Sequence, residues 1–289
     1  MSTGVMFFCD QLAAEGVVQL ATRLESLHYD RLWLPELFGR EVFSSAAFVL
    51  SKTERLSVAS GIANVYARDA YSAAQARQTL AELSNGRFAL GLGVSNPGIL
   101  SVRGQPWRPP LVKLREYLTA IAQAKIHSPA PMSPAPIYIA AHGPKLLRLA
   151  CEQAQGANTY LMPCAHTEMA RLSLGRGPRL NVVVHCLAEQ HPERARRLAR
   201  RAVGRYLGLD YYQRMWSQYG YDANDFDGEG SDRLIDMLVA WGSMDAIGER
   251  IEAQRRAGAD EVIVVPLNGD GGGREPDWSL LEALAPGAS

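Results

Sequence analysis
The feature that most constrains this chain is a repeated alternation: a short apolar run, a turn, an amphipathic helix, then another short apolar run. Strand-like runs fall at 5–9, 32–35, 56–63, 88–94, 137–141, 159–162, 182–187 and 261–267. Helical spacing of apolar residues fills the intervals, at 12–27, 41–51, 71–83, 111–124, from 144 to about 154, and in a short stretch through Met169. Strands separated by helices pair in parallel through right-handed crossovers. Eight such units in 289 residues favour a closed (β/α)8 barrel over an open sheet, so residues 1–289 are expected to form one barrel domain.

Two stretches exceed a minimal barrel. Residues 95–110, after the fourth strand, are rich in Gly and Pro. Strand-to-helix loops build the active face of such barrels, which makes this stretch a candidate substrate loop or lid. Residues 207–233, after the seventh strand, carry Tyr211, Tyr212, Trp216, Tyr219, Tyr221 and Phe226. That aromatic load needs a surface to pack on, either as a cap over the barrel mouth or at a subunit contact. The Gly-rich run 269–273 reads as a mobile loop.

Composition excludes several function classes. Thirty basic and thirty acidic residues cancel, so no global field recruits nucleic acid or an anionic membrane. The arginine run of residues 194–201 spreads over a helix face without interleaved aromatics, as solvated charge runs do. Only four of the basic residues are lysines (Lys52, Lys113, Lys125, Lys145), a bias read as genome composition. No apolar stretch approaches the length of a membrane span, and no basic-then-apolar leader opens the chain. Cys9, Cys151, Cys164 and Cys186 have no C-x-x-C spacing and lie in or beside apolar segments, as free cysteines do, so a reduced, cytoplasmic setting is expected. The six histidines show no ligand pair at i, i+4, so no metal is expected.

Residues 60–95, SGIANVYARDAYSAAQARQTLAELSNGRFALGLGVS, resemble the bacterial luciferase-like monooxygenase superfamily, and within it a branch of probable F420-dependent oxidoreductases. LREYL at 114–118, AAHGPKLL at 140–147, SDRLIDMLVAWG at 231–242 and the AGAD before the last strand extend the resemblance nearly end to end. It implies a luciferase-like TIM barrel, a cofactor at the C-terminal face, and a homodimer. The helix Val42–Leu50, apolar around most of its circumference, is the expected contact.

Several residues stand where the resemblance and the local chemistry both point. Gly61, Gly91 and Gly93 fall in or just after strands, where glycine weakens pairing unless backbone must approach something closely. A ring system across the mouth is one such thing; a narrow barrel interior filled by small residues is the other. The resemblance implies a non-proline cis peptide behind the cofactor ring, at Ser60–Gly61 or one bond later at Gly61–Ile62. Residues 142–144, His142-Gly143-Pro144, join a strand to a helix whose free N–H groups suit an anion, though an ordinary turn reads the same way. Relatives imply the cofactor's phosphate region here, with Tyr160 and Leu161 as neighbouring contacts. Asn64 and Arg68 are candidate contacts to the cofactor's polar tail, and Arg68 reads equally as an ion-pair partner.

Glu36 and Asn96 are the catalytic candidates. Glu36 ends the second strand and in relatives would touch the ring; its alternative role is capping a helix. The residue after it, where relatives often carry a catalytic histidine, is Leu37. Asn96 stands where some relatives carry a glutamate; an amide orients a carbonyl but does not exchange protons at neutral pH. The expected activity is hydride exchange between coenzyme F420 and a small organic substrate, with the cofactor supplying the difficult chemistry. The alternatives are an FMN-dependent monooxygenase using O2 and a barrel that binds without catalysing.

Overall fold
The computed structural model describes residues 2–269 and 275–287. Ten strands form one parallel sheet: β1 (Ser2–Met6), β2 (Arg31–Leu34), β3 (Ser57–Ser60), β4 (Ala63–Asn64), β5 (Phe88–Gly93), β6 (Ile137–Ala140), β7 (Gly156–Tyr160), β8 (Arg179–Leu187), β9 (Val239–Trp241) and β10 (Glu261–Pro266). β10 pairs with β1 (Val264 opposite Val5) and with β8 (Val264 opposite Val184). The ring β1-β2-β3-β5-β6-β7-β8-β10 is therefore closed, the expected (β/α)8 barrel.

The middle of most strands is apolar on both faces because both faces are covered. Met6, Trp33, Ala59, Ala89, Tyr138, Val183, Ile263 and Val265 point inward and fill the barrel. Their neighbours Val5, Leu32, Val58, Leu90, Val184 and Val264 point outward against the helices. The floor of the barrel is polar: buried Glu261 accepts from Trp33 Nε1 at 2.7 Å and pairs with Arg31, while Asn181 donates to Asn158 at 2.8 Å.

The structure departs from the sequence reading in several places: the run 56–63 splits into β3 and β4, and β8 begins at Arg179 rather than Val182. β1 ends at Met6, and Cys9 opens a short 3-10 turn. β7 begins at Gly156 rather than Thr159, since a Cβ at Gly156 would sit 2.1 Å from the Arg179 carbonyl oxygen. There glycine permits the pairing that its strand propensity argues against. β9 extends the far end of β8, with Val239 opposite His185. Residues 95–110 hold a short helix, Pro97–Val102, capped by the Asn96 side chain.

Residues 207–233 do form a cap. The helix Asp210–Ser217 sets Trp216, fully buried, in a second core with Leu161, Met162, Leu187, Leu198, Leu234 and Ile235. This core lies over the β7 and β8 end of the barrel, and Trp216 Nε1 donates to the Leu161 carbonyl at 2.8 Å. The helix Pro192–Val203 packs beside it. Two of its arginines bind the helix Asp232–Leu238: Arg196 reaches Asp232 and Asp236, and Arg200 reaches Asp232. Among the described residues no helix is long and apolar enough to cross a membrane. The run 270–273 lies outside the described residues.

Candidate active site at the barrel mouth
The strand C-termini converge on one end of the barrel, and Glu36, Gly61, Gly93, His142 and Tyr160 all stand there, at β2, β3, β5, β6 and β7. Strand termini in such a barrel form its binding face.

One wall is backbone. The chain leaves β3 through a bulge, forms the two-residue β4 beside β5, and carries a cis peptide at Gly61–Ile62, the second of the two anticipated positions. Buried Ser60 closes the gap: its hydroxyl donates to the Gly91 carbonyl at 2.8 Å and accepts from the Gly91 N–H at 2.9 Å. A Cβ on Gly91 would lie 2.0 Å from the Ser60 carbonyl oxygen, so this glycine is required by the approach of β5 to the bulge. A Cβ on Gly93 would instead meet the Ile62 side chain at 2.7 Å. The Ile62 side chain thus packs directly against Gly93, where any larger residue would displace it.

Glu36 and Arg68 secure the bulge from behind. The buried Glu36 carboxylate accepts from the Asn64 N–H at 2.9 Å and from Arg68 Nη1 at 2.9 Å, and Arg68 Nη2 pairs with its other oxygen. Arg68 also reaches Glu41 at 2.8 Å and stacks over Phe43. It is Glu41, not Glu36, that caps the helix Val42–Leu50, accepting from Ser44 N–H at 2.7 Å. The Asn64 side chain accepts from the Tyr66 N–H at 3.0 Å, which closes the same turn. Asn96 Oδ1 accepts from the Ile99 N–H at 3.1 Å, leaving its amide nitrogen to point elsewhere.

The opposite wall is aromatic. His142 Nε2 accepts from the Tyr160 N–H at 3.0 Å, so the ring proton sits on Nδ1 and donates to the Tyr211 hydroxyl at 2.8 Å. Burial, with His166 nearby, pushes the His142 pKa down to about 3 and fixes the ring as neutral. His166 donates to the His142 carbonyl at 3.0 Å. Leu161 holds a left-handed backbone (φ 58°), which turns the chain from β7 into the cap. The Tyr160 hydroxyl lies 3.1 Å from His185 Nε2 and 3.1 Å from the Tyr206 hydroxyl. Arg205 donates to Tyr206 at 3.0 Å and lies over the Phe8 ring. His185, Arg205 and Tyr206 were not singled out from sequence. Arg205 and Tyr206 follow an arginine-rich helix and read as its continuation, and only the fold brings them to Tyr160.

A gap in side-chain capping completes the mouth. The helix Pro144–Gln153 begins with Gly143 and Pro144 and has no side-chain cap, and a Cβ on Gly143 would meet nothing within 4 Å. Pro144 carries no N–H and the Leu146 N–H bonds the Gly143 carbonyl at 3.0 Å, which leaves the N–H groups of Gly143 and Lys145 to meet an anionic group.

Fold and mouth define a (β/α)8 barrel whose candidate site lies at the strand C-termini. The chain belongs to the luciferase-like monooxygenase family, whose pattern matches residues 2–261. It is 29% identical over 157 residues to a 5,10-methylenetetrahydromethanopterin reductase of Methanolobus tindarius, covering 48% of each chain. It is 29% identical over 160 residues to a putative coenzyme F420-dependent oxidoreductase of Mycobacterium tuberculosis, covering 55% of this chain and 44% of that one. Each of these two matches spans about half of the relative's length. In fold, the chain resembles the F420-dependent tetrahydromethanopterin reductase of Methanopyrus kandleri, with a TM-score of 0.76, 18% identity, and 97% of each chain covered.

Proposed function
We propose that this protein is an oxidoreductase that binds coenzyme F420 and exchanges hydride between it and a small organic substrate. The observation that carries the reading is the pairing of a backbone wall with an open helix start across one mouth. Ile62 packed on Gly93 offers a flat ring an apolar contact, and the N–H groups of Gly143 and Lys145 offer an anionic tail a landing point. The named activity of the Mycobacterium relative supports the choice of F420.

In this reading Ser60, Gly61, Ile62 and Gly93 back the ring, while His142, Gly143, Pro144, Tyr160 and Leu161 line the tail. The cofactor, when bound, supplies the two-electron chemistry; the chain positions it and excludes water. Neutral His142 holds the Tyr160 backbone and Tyr211 together, so it ties the cap to the barrel rather than moving protons. Glu36 and Arg68 keep the bulge in shape, with Asn64 closing the adjoining turn. Asn96 orients substrate with its free amide. Leu37 supplies no proton at the usual position, so the proton must come from elsewhere in the mouth.

The protein is further proposed to act in the cytoplasm as a homodimer through the helix Val42–Leu50, whose Phe43, Ala47 and Phe48 keep some exposure. Light scattering at micromolar concentration should give twice the chain mass. The functional test is anaerobic: F420 reduction by alcohols and reduced-F420 oxidation by carbonyls and imines, followed at the cofactor's absorbance band. No turnover with F420, alongside O2-dependent turnover with reduced FMN, would replace this reading with the monooxygenase.

A further inference from the structure
The hydrogen bonds around Tyr206 leave a proton available at the mouth, where Leu37 offers none. Three hydroxyl and ring groups form a chain from the barrel interior to the mouth: His185 Nε2, the Tyr160 hydroxyl and the Tyr206 hydroxyl, each step 3.1 Å. Three arrangements meet these contacts. In one, His185 Nε2–H and the Tyr206 O–H both donate to the Tyr160 oxygen, and the buried Tyr160 O–H is left without an acceptor, which costs about 1–3 kcal/mol. The other two run the chain in opposite directions. If Tyr206 donates to Tyr160 and Tyr160 to His185, the His185 proton must sit on Nδ1. That atom is buried and has no partner among the described residues. A buried N–H without an acceptor costs about 1–3 kcal/mol.

In the other direction His185 Nε2–H donates to Tyr160, and Tyr160 donates to Tyr206. Nδ1 is then a bare lone pair, a milder loss because unpaired acceptors are tolerated better than unpaired donors. Burial lowers the His185 pKa to about 3, so the ring carries only one proton and the choice is exclusive. The second direction has a consequence for Tyr206. Its oxygen accepts from Tyr160 and from the Arg205 guanidinium at 3.0 Å, which fills both lone pairs. Its own O–H is left free. Tyr206 is half-buried, while Arg205 is exposed and faces the hydroxyls of Tyr206 and Tyr160, with no salt bridge to a carboxylate among the described residues.

We propose that the free Tyr206 O–H, with Arg205 beside it, binds the oxygen of a carbonyl substrate and is its proton donor. The proposal rests on the hydride-transfer reading and narrows the substrate to a carbonyl compound or the matching alcohol. The bound cofactor would supply hydride to the carbonyl carbon, and the C=O π pair would move onto oxygen. That oxygen forms its O–H bond as the Tyr206 O–H breaks, and the electron pair stays on the phenolate facing Arg205. The phenolate recovers a proton from Tyr160 or solvent. In the reverse direction the phenolate takes the alcohol's proton.

The test uses acetate, whose carboxylate mimics the alkoxide, on the cofactor-free protein. Calorimetry should show acetate binding that weakens at least tenfold in Tyr206→Phe and in Arg205→Met. Both variants keep the packing: the phenyl ring retains its contacts with Tyr160 and Tyr212, so melting temperature serves as the folding control. For any carbonyl the wild type reduces, Tyr206→Phe should lower kcat by about 10²–10⁴-fold, the range of a lost general acid, with F420 affinity unchanged. Equal acetate binding in wild type and Tyr206→Phe, no acetate binding to the wild type, or an unchanged kcat would overturn the proposal. Failure of the wild type to bind F420 would instead overturn the hydride-transfer reading, whatever acetate does.

Discussion
Replacing Glu36 with glutamine isolates what the carboxylate does behind the bulge. The substitution keeps the shape and leaves an oxygen to accept from the Asn64 N–H, but it removes the charge that Arg68 faces. Both partners are sheltered, with side-chain exposures of 4% for Glu36 and 13% for Arg68, so the pair is little screened by solvent. Removing one member of a buried pair costs about 3–5 kcal/mol. Arg68 keeps Glu41, which is 48% exposed, and the expected loss falls at the lower end, about 3 kcal/mol. With an unfolding entropy near 2.1 cal/mol/K per residue, a chain of this length shifts about 1.6 °C per kcal/mol, giving a Tm lower by about 5 °C. Differential scanning calorimetry reads this directly, and a double-mutant cycle with Arg68→Met isolates the pair. The Glu36→Gln and Arg68→Met losses should be strongly non-additive. A Tm within 1 °C of wild type, or fully additive losses, would refute the view that Glu36 holds Arg68 and the bulge.

Acid should destabilise the fold through His142 and His185. Both have folded pKa values lowered to about 3 by burial, so the unfolded chain takes up protons first. Stability is full above the unfolded value near 6.5 and falls by about 1.4 kcal/mol per pH unit per histidine between there and about 3. Urea unfolding at pH 7.5, 6 and 5 checks this slope, which His185→Gln should reduce; equal midpoints at all three pH values would contradict it. The two mouth glycines should behave oppositely. Gly91→Ala forces a Cβ against the Ser60 carbonyl and should cost several kcal/mol or abolish soluble expression, whereas Gly143→Ala meets nothing within 4 Å and should change stability by less than about 1 kcal/mol. Thermal melts of the two purified variants decide this.

How much of this was legible beforehand follows from the range of the forces involved. The barrel strands show in the sequence because both of their faces are buried, leaving runs such as Val182–Leu187 apolar but for His185. Glycine at Gly156 hides the start of β7, because close backbone approach to Arg179 is a tertiary fact that propensity does not carry. β9 is too short to stand out from the helices on either side. The mouth residues at strand ends were identifiable from the chain alone, since strand C-termini converge whatever the loops do. The partners of those residues were not. Glu36 finds Arg68 across 32 positions, and Tyr160 finds Tyr206 across 46. Arg205 and Tyr206 occupy a 3-10 turn, Gly204–Tyr206, at the end of a charged helix, where nothing local marks them as facing the mouth.

The central claim is that this mouth holds coenzyme F420. Parallel fluorescence titrations of the ligand-free protein with F420 and with FMN test it most directly. Saturable F420 binding is expected at micromolar or lower concentration, at least tenfold tighter than FMN, and weakened when Gly143→Asp places a carboxylate at the helix start. Tighter binding of FMN, binding of neither, or F420 binding indifferent to Gly143→Asp would contradict it.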